Sequence, residues 1–295
     1  METRSEDLTE RSISGGKLAS RARGRRAIRI FRIIALVAFS IFVLLPILFM
    51  FTTSIKDPIE IRSSGALFPQ KATTINWYYA WVTQPLFLFL RNSTITAVFS
   101  TLLVLLIAVP TTYAIVRFKI GGDILPSMIL GGYVMPPIVV SIAIFMFVKL
   151  AGLTNTTIGL ILVHTIINTP LAVWLLDSFV RTIPKELEQA AWIDGYSRFE
   201  TLYKVVIPLI RPGLISTGII CLIMSWDEFL MALLLTYDET AWTFPVGISA
   251  YQGQHGLQFG EMSSAALFGI IPIYILVFVF QRFIVAGLTR GGVKG

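Results

Sequence analysis

The chain has 295 residues, of which 55% are hydrophobic and 14% charged, and it carries a formal net charge of +7. That balance is too apolar for an ordinary soluble domain and makes the lipid bilayer the expected solvent. A single cysteine, Cys221, excludes an intrachain disulfide or a cysteine metal cluster, and basic residues gathered at the N-terminus and between apolar blocks fit phospholipid headgroups rather than nucleic acid.

In chain order, residues 1–30 read as a disordered basic tail, ahead of one membrane domain over 31–295. A helix needs about twenty apolar residues to cross roughly 30 Å of hydrocarbon. Six blocks meet that need: Phe31 to Phe51, Leu86 to Arg117, Ile124 to Val148, Thr157 to Leu176, Pro212 to Leu235 and Ser264 to Val285. The first is expected to stay uncleaved, because Thr52-Thr53-Ser54-Ile55-Lys56 offers no A-x-A-like site. Pro110 is placed to kink the second span, and Pro136, Pro137 and Pro170 to kink the third and fourth. With the N-terminus inside, 19 of the 24 Lys and Arg residues fall on the cytosolic side. The expected fold class is therefore an all-α integral membrane protein with six transmembrane helices and both termini in the cytosol.

Polar residues inside the spans are rare and informative. His164 and Asn168 stand four apart, hence on one helix face, and Asp227 and Glu228 lie in the fifth span. They are candidates to line a translocation path; hydrogen bonding between helices is the other reading.

The cytosolic connection 177–211 is full of helix punctuation. Pro184 suits a first turn, Glu186 and Glu188 suit the positive helix N-terminus, and Gly195 can supply a left-handed stop. Ser197-Arg198-Phe199-Glu200 fits a capping box that opens a second helix ending near Pro208. Ala190 and Ala191 keep the first helix slim, while Leu187, Trp192, Phe199, Leu202 and Tyr203 offer apolar anchors. The result is either a docking surface or an amphipathic hairpin lying on headgroups. The outer connection 236–263 contains Tyr251, Gln252, Gly253, Gln254, His255 and Gly256, a glycine-rich tip with amides able to bond hydroxyls. Four glycines in the tail 287–295 would by composition mean a frayed end.

Chemistry of its own is not expected. No G-x4-G-K-[ST] stretch occurs, and two separated histidines support neither a zinc site nor a nucleophilic triad, so no catalytic or metal residue is assigned.

The cytosolic connection resembles the loop of permease subunits of binding-protein-dependent ATP-binding-cassette importers, E-A-A-x3-G-x9-I-x-L-P. Gln189, Ala190, Ala191, Gly195, Val205, Ile207 and Pro208 fall at its spacings, Asp194 precedes the glycine, and Gln189 stands where the motif has Glu, with Glu188 just before it. Trp226-Asp227-Glu228-Phe229-Leu230 looks like the family's W-N-E-F-L, and the ending from Gly287 is similar to that of maltose-type, carbohydrate-uptake permeases.

The resemblance implies a bacterial or archaeal plasma-membrane permease for a sugar-like solute. Its partners would be a second, related permease subunit, two ATPase subunits that hold ATP and Mg, and an external solute-binding protein. It further implies ATPase coupling through Glu188, Gln189, Ala190, Ala191, Asp194, Gly195 and Pro208. Tyr251, Gln252, Gly253 and Gln254 would contact the binding protein, and Thr289, Arg290 and Lys294 would couple the tail to the ATPases. An ion-coupled secondary transporter or channel, or a membrane scaffold, is the alternative.

Overall fold

In the computed structural model, backbone is described for residues 3–63, 65–122, 124–253 and 256–292, and side chains from 28 to 283 except 64, 123, 130 and 252–257. Helix α1 (Thr3–Ser54) begins in the N-terminal segment. The side chains before Ile28 lie outside those described; the backbone is helical from Thr3, where a disordered tail was expected over 1–30. Two short helices, α2 (Pro58–Ser63) and α3 (Ile75–Thr83), lead to α4 (Leu86–Phe118), which runs unbroken through Pro110.

Among the described residues, four helical stretches are long and apolar enough to cross a bilayer: Ile28–Ser54, Leu86–Phe118, Thr157–Arg181 and Phe259–Phe283. Two bent helix pairs raise the number to as many as six if each is one span. The expected third span, Ile124 to Val148, is one of these pairs, and it bends at Pro136 and Pro137, where a kink was expected. It divides into α5 (Ile124–Val134) and α6 (Pro137–Leu150), bent by 94°. Pro136 and Pro137 lack amide hydrogens and push the residue before them out of helical geometry, so the backbone turns there; Pro136 itself has φ −55° and ψ 126°.

After α7 (Thr157–Arg181) come α8 (Lys185–Ile193) and α9 (Arg198–Thr201). A π-helical turn over Leu202–Val206 then runs into α10 (Ile207–Leu209). The helical path Arg198–Leu209 meets α11 (Arg211–Trp226) at 81°, forming the second bent pair. The expected fifth span is also broken: α11 ends at Trp226, and α12 (Leu230–Leu235) resumes after Asp227, Glu228 and Phe229. Beyond it lie α13 (Phe244–Ser249), the two-residue strands β1 (Gln252–Gly253) and β2 (Gly256–Leu257), and α14 (Phe259–Gly292).

The core follows α4, α7 and α11. Val104, Ala108, Ala172, Leu176, Val206 and Cys221 are buried together at one end, while Val163, Met231 and Leu235 with Val246 pack at the other. By contrast, none of the apolar window of Ile28–Ser54 is buried within the chain, although α1 touches α14. A face that apolar requires lipid or protein around it.

Two Asn-led segments, Asn92-Ser93 and Asn155, are structural clips. The Nδ2 of Asn92, 1% exposed, donates to the carbonyls of Thr240 at 2.9 Å and Trp242 at 3.0 Å, while Ser93 Oγ accepts from Phe244 N at 2.7 Å. Asn155, at φ 57°, donates to Asp238 Oδ2 at 2.7 Å and accepts from Tyr237 N at 3.1 Å. Hydrogen bonds from the Thr240 side chain and backbone hold the Asp238 carboxyl below its ordinary value. Asn92→Ala removes two hydrogen bonds made by a buried amide and is expected to destabilise the protein by about 2 kcal/mol. A lowered thermal midpoint in detergent would show this, and an unchanged midpoint would refute it.

Candidate functional site

The helix pair after α7 is built by local chemistry. Pro184 is the N-cap residue of α8. At the other end Gly195 N bonds Trp192 O at 3.1 Å and Tyr196 N bonds Ala191 O at 2.9 Å, the paired closure of a Schellman motif. That closure needs a left-handed residue, and Gly195 has φ +86°. The next helix opens with the expected capping box: Glu200 N donates to Ser197 Oγ at 3.2 Å, and Ser197 N donates to Glu200 Oε2 at 3.0 Å. The helical path does not run evenly to Pro208, because the π turn intervenes just before this residue, which cannot donate.

Within the capping box, the Ser197 backbone N–H, the Lys204 amine and the Ser197 hydroxyl pull the Glu200 carboxyl from 4.5 down to about 2. A depressed carboxylate stabilises the fold fully above its ordinary value, and that contribution is lost as pH falls from about 4.5 through about 2. A carboxyl titration followed by NMR should find a Glu200 midpoint near 2, and Ser197→Ala should raise it toward 4.5. Coinciding midpoints would refute the cap.

The outer face of the pair is apolar and open, with Ile193 86%, Phe199 75% and Tyr203 66% exposed. Gln189, Ala190, Asp194, Gly195 and Pro208 are exposed too, whereas Ala191 and Glu188 face inward. Glu188 is 2% exposed and therefore makes no contact on the outer face. Its Oε1 accepts from Arg117 Nε at 2.6 Å and its Oε2 from Tyr113 Oη at 3.0 Å.

A second polar cluster lies between the long helices. Ser100 Oγ and Ser225 Oγ are 3.0 Å apart, His164 Nδ1 is 2.7 Å from Ser225 Oγ, and His164 Nε2 is 3.4 Å from Glu228 Oε2. Glu228 also caps α12, accepting from Met231 N at 2.8 Å and Ala232 N at 3.0 Å. His164 is wholly buried and Asn168 6% exposed, while Asp227 is exposed at the break. His164 and Glu228 thus join helices.

At the outer connection, Tyr251 is 1% exposed and its hydroxyl donates to Ala80 O at 2.5 Å, so its ring is unavailable to a partner. The side chains of Gln252, Gly253 and Gln254 lie outside those described, as do those of Thr289, Arg290 and Lys294.

Arg117, Tyr113 and Ser225, which hold these two polar clusters together, were not singled out as site residues from the sequence. Tyr113 and Arg117 are four apart near the C-terminal end of α4, a spacing that puts both on one face.

Spans packed around buried polar clips, with an apolar helix pair exposed beyond them, define a multi-pass membrane component. The chain belongs to the family described as binding-protein-dependent transport system inner membrane component, whose model matches residues 105–290. It is 37% identical over 254 residues to the sulfoquinovosyl glycerol transport system permease protein SmoH of Agrobacterium fabrum, covering 85% of this chain and 89% of that one. It is 35% identical to the trehalose/maltose transport system permease protein MalG of Thermococcus litoralis, covering 90% and 97% of the two chains. A bacterial ABC transporter involved in the import of the acidic polysaccharide alginate shares the fold, with TM-score 0.75 and 20% identity over 88% of this chain and 97% of that chain.

Proposed function

We propose that this chain is the permease subunit of an ATP-driven importer that moves a carbohydrate or related polar solute delivered by an external solute-binding protein. The observation that carries this reading is the exposed apolar face of α8 and α9 on a buried polar footing, a surface with a partner's geometry rather than a headgroup-lying hairpin's. ATP and Mg belong to two ATPase subunits that dock there through Gln189, Ala190, Asp194 and Gly195. A second, related permease subunit completes the pore. Six spans, with α5 and α6 as the third and α11 and α12 as the fifth, and cytosolic termini agree with the 19-to-5 partition of basic residues. The solute class comes from relatives named for sulfoquinovosyl glycerol and for trehalose and maltose. The outer connection through Gln252 to Gln254 meets the binding protein, and the tail from Thr289 reaches the ATPases.

Co-expression with the candidate partner subunits and purification through this chain tests the assembly. A stoichiometric ATPase and binding-protein-stimulated hydrolysis are expected, with a sugar panel read by uptake. Uptake that follows an ion gradient without any bound ATPase would instead establish a secondary transporter, and no uptake at all a scaffold.

A further inference from the structure

The docking reading leaves open how movement of α8 reaches the spans, and three side chains at the inner end of α4 meet that need. Arg117 Nε donates to Glu188 Oε1 at 2.6 Å, and its other nitrogen donates to the carbonyls of Val180 at 3.0 Å and Ile183 at 2.7 Å. One guanidinium therefore ties α4, the end of α7 and α8 at a single point. Tyr113, one turn earlier, donates to the second carboxylate oxygen at 3.0 Å. The Arg117 and Glu188 side chains are 6% and 2% exposed, so little water screens them. The grip extends to the other half of the pair, because the Arg198 guanidinium that opens α9 stacks 4.6 Å from the Phe118 ring that closes α4.

A buried ion pair is a weak way to add stability, since well-packed apolar side chains do as well or better. What it adds is direction, because a planar guanidinium with fixed donors holds its acceptors at set angles. On α8, Glu188 points in while Ala190 and Ile193 point out. The face that would touch an ATPase and the residue that holds the spans thus belong to one nine-residue helix.

We propose that Tyr113, Arg117 and Glu188 form a rigid joint that delivers displacement of the docking helix to α4 and α7, making them positioning residues of the transport cycle. The proposal rests on the importer reading. A loose joint lets ATP hydrolysis proceed while the spans respond incompletely.

The test uses the whole complex, with both permeases, ATPases and binding protein, in proteoliposomes. Glu188→Gln keeps the side-chain shape and removes the charge; Tyr113→Phe removes one hydroxyl. Glu188→Gln should leave ATPase co-purification intact and lower solute moved per ATP about tenfold, with Tyr113→Phe shifting the same ratio less, about threefold. An unchanged ratio in assembled Glu188→Gln complexes overturns the joint, because a purely structural role would lower only the yield of complex. Should Glu188→Gln fail to assemble, the ratio for Tyr113→Phe decides by the same rule. Absence of ATPase from the unsubstituted chain is a different result and overturns the docking reading, and the joint with it.

Discussion

Replacing Ala190 with Trp is expected to leave the chain folded in the membrane and to weaken ATPase association about a hundredfold, the effect of about 3 kcal/mol of overpacking at a close contact. Ala190 is exposed on α8, flanked one turn away by Leu187 and Ile193, which are 46% and 86% exposed. An indole there has room in the isolated chain and none beneath a partner packed against a slim helix. Ala191 is the informative contrast. At 5% exposure it faces the chain's own interior, and Ala191→Trp should reduce the amount of folded protein instead. Membrane yield, ATPase co-purification and uptake separate the two. Full ATPase binding and uptake by Ala190→Trp would move the docking face elsewhere.

Glu228→Leu should destabilise the protein by about 3 kcal/mol, because it leaves two backbone N–H groups without acceptors at about 1.5 kcal/mol each. Those groups belong to Met231 and Ala232, which are 1% and 0% exposed, and the water that would repair an exposed helix start does not reach them. Glu228→Gln keeps one acceptor oxygen and should lose roughly half as much. Thermal unfolding in detergent measures both. Equal midpoints for the parent protein and Glu228→Leu would mean that α12 begins without this cap. The expected loss also bears on Glu228 as a path residue: uptake that falls only in proportion to folded protein assigns it to the helix break alone.

What could be read from the sequence was local. The capping box at Ser197, the left-handed Gly195 and the apolar lengths of α4 and α7 depend on residues within one or two turns, and they appear where their spacing placed them. Glu188 shows where such reading stops. Its position in the helix was legible, but its inward direction is set by Arg117, 71 residues away. The break after Trp226 was hidden for another reason: apolar residues continue on both sides, so hydropathy registers one span while Glu228 starts a new helix. Tyr251 looked like a loop-tip residue because nothing nearby in sequence reveals Ala80, 171 residues before it. The π turn before Pro208 follows from a missing donor, a signal that was present but was read only as a helix end.

The polar clips also impose an order on synthesis. Helix α4 reaches the membrane carrying Asn92, Ser93 and Ser100, whose partners lie far downstream. Ser225 trails Ser100 by 125 residues, and Trp242 trails Asn92 by 150. At roughly 5–20 residues per second, α4 waits on the order of ten seconds before those groups exist. During that interval the Ser100 hydroxyl can donate within the helix to Ala97 O, but the Asn92 amide finds no acceptor in hydrocarbon, so this end of the nascent helix must stay near water, lipid headgroups or the polar interior of the insertion machinery. Its final placement becomes favourable only when α11 and the segment from Thr240 to Phe244 arrive, and the bundle closes by recruiting late segments to an early span held at the edge of the membrane.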